Sequence, residues 1–271
     1  MKRVCLLVGV IVFFASGAVE AGGDGELHGV IDFTYQSKFV WRGFDVFGDK
    51  SAMQPSIDLD LYGTGFGVSA MGHRANSSGF ENMERWDYTL YYYNRLFDGA
   101  RYATNYRINW VHYNLPDNDN QDFDLQEIWT GFFWPELLGV KGLVPGYILA
   151  KAWPSSSGSM VGTRSMFGGT ASGWAHIFML DYGFPICSVL PNKPEQILRL
   201  HADVTYNDGV GPGGQNIDQD WSHAVFGVTT DFEMGGGFVL TPGMYHQVTM
   251  DKSVNTDKDE TWVTLSATYK F

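Results

Sequence analysis

Three groups of residues in this chain of 271 have types and spacings that could do chemistry. The first is "GHRANSSG", His73 to Gly79, a histidine close to serines. On a strand, a base reaches a nucleophile when the two share a face, two positions apart, as in His-x-Ser. Ala75 stands in that place, and none of the seven histidines has a serine two residues on. A lipid hydrolase is therefore kept only as a second alternative, and no catalytic residue is assigned. The second group is "DNDNQD", Asp117 to Asp122, which has the composition of a calcium loop. It lacks the glycine at position six, and position twelve is Ile128 where a bidentate acid is needed. The histidines have no ligand spacing and no nucleotide fingerprint is present, so neither metal nor cofactor is expected. The third group is the largest. Lys38, Arg42, Arg85, Arg95, Arg101, Arg107, Lys151, Arg199 and Lys270, with Asp32, Asp58, Asp60, Asp87, Glu127, Asp203, Asp231 and Glu233, each read as lying opposite a row of apolar residues. Nine positive and eight negative side chains nearly cancel. Such a set either fills and stiffens an interior or lines a selective passage.

The elements that must position these charges are strands. Leu27, Gly29, Ile31, Phe33, Tyr35, Phe39 and Trp41 share one face of the first, with His28, Asp32, Thr34, Gln36, Lys38 and Arg42 on the other. This period of two recurs in about twelve segments, and no convincing helical stripe appears. Segments near 146–153 and 172–182 are apolar on both faces and are harder to bound. Pro242 in the eleventh strand predicts a bulge, since a closed barrel has no edge to hide it. The turns at Gly63-Thr64, Phe97-Asp98-Gly99 and Met234-Gly235-Gly236 are tight, whereas "SSSGSMVGTRSMFGG" and "DGVGPGGQNIDQ" are long and polar. Short and long connections alternate, as in an outer-membrane barrel with periplasmic turns at one end and outer loops at the other.

The two ends of the sequence agree with export. Lys2 and Arg3 precede an apolar run, Val4 to Phe14, with Val19 and Ala21 at suitable cleavage positions, so residues 1–21 are read as a signal peptide and 22–271 as one barrel domain. Setting aside Lys2, Arg3 and Glu20 leaves 16 basic and 29 acidic residues, which excludes the basic footprint of a nucleic-acid partner. The last strand, "WVTLSATYKF", ends on Tyr269 and Phe271, an aromatic signal for the barrel-insertion machinery. A soluble sandwich alternates too, but Trp41, Trp86, Tyr102, Trp110, Trp134, Trp153 and Trp221 fall toward strand ends, as a girdle at a lipid interface does.

The run Ser37 to Gly72, with "ENMERWDYTLYYY" from Glu81 to Tyr93, resembles the opening of the TorF-type putative porins, short bacterial outer-membrane barrels. The matching features are an aromatic-x-x-Arg-Gly strand end at Phe39 to Gly43, Gln54 at the head of the second strand, and an acidic signature at Glu84 to Asp87, one residue longer than usual. The resemblance implies a barrel acting as a channel.

The expected protein is thus an all-β, closed antiparallel transmembrane barrel in the bacterial outer membrane. Its expected partners are outer-membrane lipids, the insertion machinery and small hydrophilic solutes. The alternative is a structural or surface-interaction barrel with a blocked lumen. Lys38, Arg42, Asp58, Asp60, Arg85, Asp87, Arg101, Arg107, Arg199, Asp203 and Asp231 are assigned to the lumen. Acids in the outer loops, among them Asp45, Asp49, Glu81, Asp117 and Asp257, predict a weak cation preference at the mouth.

Overall fold

Where polar and apolar residues alternate, the backbone extends and each row must find its own solvent. The computed structural model describes residues 26–118, 124–155, 173–189, 195–208, 219–252, 254 and 257–271. The expected signal peptide lies outside the described residues, as do Asp119 and Asp122. The strands are β1 His28–Gln36, β2 Val40–Trp41, β3 Phe44–Asp45, β4 Ala52–Asp60, β5 Phe66–Ala75, β6 Arg85–Leu96, β7 Thr104–Asn114 and β8 Leu125–Phe133. They continue as β9 Leu143–Pro154, β10 Gly173–Cys187, β11 Glu195–Asp208, β12 Asp220–Thr230, β13 Phe232–Gly235, β14 Phe238–Thr249 and β15 Glu260–Lys270.

Every sequential neighbour among the long strands is antiparallel, and β15 pairs with β1, from Val30 opposite Lys270 to Gln36 opposite Thr264. β12 and β13 are two pieces of one strand beside β14, so the sheet closes as a barrel of twelve strands. Pro242 sits in register opposite Leu265, not in a bulge. The relief is on the neighbouring strand, which breaks between β12 and β13 at Asp231, where Thr241 donates its hydroxyl to Asp231 Oδ1 at 2.8 Å.

The two rows of each strand separate cleanly. Ile31, Phe33, Leu90, Ile108, Ile128, Phe178, Leu180, Leu200, Phe226, Met244, Val263 and Leu265 point outward and are 42 to 52% exposed. A continuous belt of half-exposed apolar side chains around a closed wall is a lipid-facing surface, because no soluble fold leaves so large a patch to water. Asp32, Thr34, Gln54, Asp87, Asn109, Glu127, Asp203 and Thr268 point inward and are buried. Trp86, Trp221 and Tyr102 are exposed near strand ends, as the girdle requires, whereas Trp110 lies mid-strand on β7, level with Leu90 and Ile128.

Two further placements along the wall also differ from the expectation. The first strand ends at Gln36, six residues early, and Lys38 to Arg42 leave the wall. Lys151 is outside the barrel, with its ammonium 5.0 Å from the Trp174 ring, because β9 turns Val144, Ile148, Ala150 and Ala152 inward.

Candidate functional site: the lumen and its inserted hairpin

After β1 the chain folds into the barrel. β2 and β3 form a small hairpin whose two-residue turn, Arg42-Gly43, has φ of 47° and 94°. Both values are positive, as the turn that matches strand twist requires. Gly43 suits it for a second reason: a Cβ there would lie 2.8 Å from His223 Nδ1 and 2.7 Å from Val254. Arg42 bears the strain of a left-handed conformation, about 1–2 kcal/mol, and its guanidinium is held by an ion pair to Glu127 on β8. The Gly43 carbonyl accepts a hydrogen bond from Gln247 Nε2 of β14 at 2.8 Å.

The hairpin's apolar residues reach opposite walls. Phe39, Trp41, Val46 and Phe47 pack with Val111, Tyr113 and Leu125 of β7 and β8, and Trp129 lies against them. Val40 packs with Val225 and Trp262 of β12 and β15, while Phe44 meets Val254. Phe39 and Trp41, expected in lipid, are therefore buried inside, 0% and 3% exposed, and Trp41 is not part of the girdle.

A buried polar relay supports the hairpin. Gln54 Nε2 donates to His73 Nδ1 at 2.8 Å, and His73 Nε2 donates to Asp87 Oδ2 at 2.8 Å. Arg85 donates to the same Asp87 oxygen at 3.1 Å. The Phe39 ring stacks on His73 at 4.6 Å, and the Arg85 guanidinium lies 4.1 Å from the Trp41 ring and 4.8 Å from Tyr113. A desolvated cation over aromatic faces contributes about 2 kcal/mol. At the loop end, Lys38 bonds Glu260 of β15 at 2.6 Å and Asp49. Burial works against the Lys38 ammonium, but its bonds to Asp49 and Glu260 outweigh it and raise its pKa above the ordinary lysine value. The same bond to Lys38 lowers the Asp49 carboxyl. Asp45, Asp49 and Glu260 come within 4.8 Å of one another, with the Lys38 ammonium bonded to two of them.

Toward the short-turn end the lumen wall is a series of matched pairs. Arg107 lies 3.6 Å from Asp58 and 3.7 Å from the Tyr91 ring, and the Tyr91 hydroxyl donates to Asp58 at 2.6 Å. Tyr93 donates to Asp60 at 2.6 Å. Arg199 bonds Asp231 at 2.8 Å, and His201 bridges Asp181 and Asp203, 2.7 Å from each. Arg101, assigned to the lumen, is instead exposed on the short-turn rim, donating to the Leu137 carbonyl at 2.9 Å, because β7 starts only at Thr104. Arg95 is also a rim residue, paired with Asp98 and Glu136.

Sequence reasoning missed His73, Asp181 and Glu260 as inward groups, whereas His201 falls on the polar row with Arg199 and Asp203, where alternation puts it. The signal for His73 was its even spacing from Ser69 and Met71, had β5 been carried on to Ala75. His73 is buried, 1% exposed, and holds no serine. Ser155 Oγ is 3.4 Å from His112 Nδ1, and His112 Nε2 is 3.6 Å from Asp124 Oδ2. The second gap is too long for a hydrogen bond, and Asp124 already accepts from Leu115 N and Asn114.

No family model and no curated protein matches the chain. Among solved structures it is similar to the KdgM porin, with a TM-score of 0.52 and 10% identity over 89% of this chain and 99% of that one. It is likewise similar to the NanC porin in a rhombohedral crystal form, with a TM-score of 0.51 and 9% identity over 90% of this chain and 100% of that one. At this identity the likeness is one of fold, that of a porin-type outer-membrane barrel.

Proposed function

We propose that this protein is an outer-membrane channel through which small hydrophilic solutes diffuse passively, a TorF-type porin and not an enzyme. The observation that carries the reading is the separation of the wall into an apolar outer face and an inner face of ionised, mutually hydrogen-bonded groups. Lipid takes the first and only water or polar solutes suit the second. Lys38, Arg42, Asp58, Asp60, Arg85, Asp87, Arg107, Arg199, Asp203 and Asp231 are its proposed lumen groups, with the first two acting through the inserted hairpin. Tyr269 and Phe271 are proposed as the insertion signal.

A second reading is favoured by the hairpin, whose side chains touch opposite walls: a barrel closed at rest, serving a structural or surface role. Planar bilayer recording separates the two. A constricted channel gives small conductance steps, and the double variant Phe39→Ala/Phe47→Ala, which removes the hairpin's anchors, enlarges them. Silence in the wild type with steps in the variant would establish the closed barrel. Silence in both would overturn the channel.

A further inference from the structure

The inward side of β11 carries Arg199, His201, Asp203, Thr205 and Asn207 at every second residue. The first two have partners on the protein. Arg199 is matched to Asp231, and His201 gives one ring nitrogen to Asp181 Oδ1 and the other to Asp203 Oδ2. The column then changes character. Asp203 Oδ1, Thr205 Oγ1 and Asn207 Oδ1 are shut off from bulk water and make no hydrogen bond, and Asp181 Oδ2 is in the same condition. Asp203, Thr205 and Asn207 are 5%, 3% and 1% exposed. The pairing explains why no donor reaches them. β10 sets Met179 beside Asp203, Ile177 beside Thr205 and Ala175 beside Asn207. β12 sets Val225 beside Asp203, and beside Thr205 it sets His223, whose Nδ1 faces Ser222 Oγ at 2.8 Å and whose Nε2, also buried without a partner, makes no bond to the Thr205 hydroxyl.

The rest of the lumen does not supply the missing charge. Among the described residues Lys38, Arg42, Arg85, Arg107 and Arg199 are each matched to a carboxylate. Asp32 rests on the hydroxyls of Thr34 and Thr268, Asp60 on Tyr93 and the Gly63 amide, and Asp181 and Asp203 share one imidazole. A buried oxygen without a donor is costly, and a cation relieves that cost where an anion would add to it.

We propose that Asp203, Thr205 and Asn207, with Asp181 at their foot, form a track of oxygen ligands for small monovalent cations, alkali ions or ammonium, which makes conduction through the lumen cation-selective. Successive inward residues of a strand stand about 6.7 Å apart. Each position therefore offers one or two oxygens in turn and not the cage of six to eight that holds calcium. Weak sites in series are what permits an ion both to enter and to leave. The inference rests on the channel reading and deepens it.

The test is the reversal potential under a KCl gradient at mean concentrations of about 0.1 M and 1 M, where the screening length falls from about 10 Å to about 3 Å. The wild type should prefer potassium at both, since buried oxygens are screened little. Asp203→Asn and Thr205→Val, checked for folded-barrel mobility on unheated gels, should lose most of that preference, while the exposed-loop variant Glu81→Gln keeps it. Anion preference, a cation preference that vanishes at 1 M, or unchanged selectivity in both track variants would overturn the proposal. If no variant conducts, the channel reading fails by itself, and the track is decided by crystals soaked in rubidium chloride. Anomalous density beside Asp203 Oδ1 and Thr205 Oγ1 that Thr205→Val removes supports it, and no density there overturns it.

Discussion

Phe39, Arg42 and Gly43 come from one short segment, Gln54 and Asp87 from two later strands, and all five meet around one object, the inserted hairpin. Phe39 stacks on the His73 ring that Gln54 and Asp87 orient, and Arg42 and Gly43 make the turn that Glu127 and Gln247 hold. These residues drew attention as the carriers of a family resemblance, and their common property is that they seat a loop. The Lys38–Asp49 tie gives this seating a pH dependence of known sign. The Asp49 carboxyl is lowered by its bond to Lys38, so its contribution is complete above the ordinary carboxylate pKa of about 3.9 and is lost as pH falls through the depressed value. Conductance through the proposed channel should accordingly be flat from neutral pH down to about 5 and rise only below about 4, which single-channel recording over a pH series checks. In Asp49→Asn that acid rise should be absent. Asp58, Arg85, Asp87, Arg107, Arg199 and Asp203 were legible in the sequence because alternation places them opposite apolar rows. Arg95, Arg101 and Lys151 were misplaced, at the rim end of β6, before the late start of β7 and on β9 with its two apolar faces. The hairpin was not legible, because Phe39 and Trp41 continue the period of β1 past Gln36, and periodicity alone does not tell an interior of protein from one of lipid.

At the scale of elements, β9 and β10 explain why a stretch of the sequence resisted bounding. Val144, Ile148, Ile177 and Met179 point inward and cluster with Phe133, so both faces of these strands are apolar, one against lipid and one against protein. The period of two survives in the structure but loses its contrast in hydropathy, and contrast is what a reader of sequence measures. The other strands kept that contrast, and their number, order and facing were legible. The facing makes a direct prediction. Leu200 is 43% exposed on the lipid side of β11, so Leu200→Arg should destabilise the folded barrel by about 2–4 kcal/mol near the bilayer midplane. Ser69 of β5 faces inward opposite Asp58, so Ser69→Arg gains a carboxylate neighbour and should cost little. Reversible urea unfolding in vesicles measures both, and equal losses would contradict the assignment of faces.

For the whole molecule the deciding contact is the seam between its first and last barrel strands. Phe271 N donates to the Gly29 carbonyl at 3.0 Å, Gly29 N donates to the Phe271 carbonyl at 2.9 Å, and the Phe271 ring leaves Gly29 no room for a side chain, whose Cβ would lie 2.5 Å from Cζ. Deleting Phe271 removes the final rung of this ladder together with the expected insertion signal. The outer-membrane yield of the deletion should fall and unassembled chain should accumulate in the periplasm, as fractionation and blotting would show. The hairpin adds a constraint in time. Ser37 N bonds the Val263 carbonyl, Val263 N bonds Ser37 Oγ, Lys38 bonds Glu260 and Val40 packs on Trp262, so the chain leaving β1 for the interior is fastened chiefly to β15. Once β15 has zipped to β1 the wall is complete around a hairpin that buries Phe39, Trp41 and Phe47 within it. The contacts of Ser37, Lys38 and Val40 make the segment a template for β15, and weakening them by Ser37→Ala should slow barrel assembly in a time course of folded-band formation on unheated gels. A loop so fastened would act on how fast the barrel is born, whatever it does once the wall is closed.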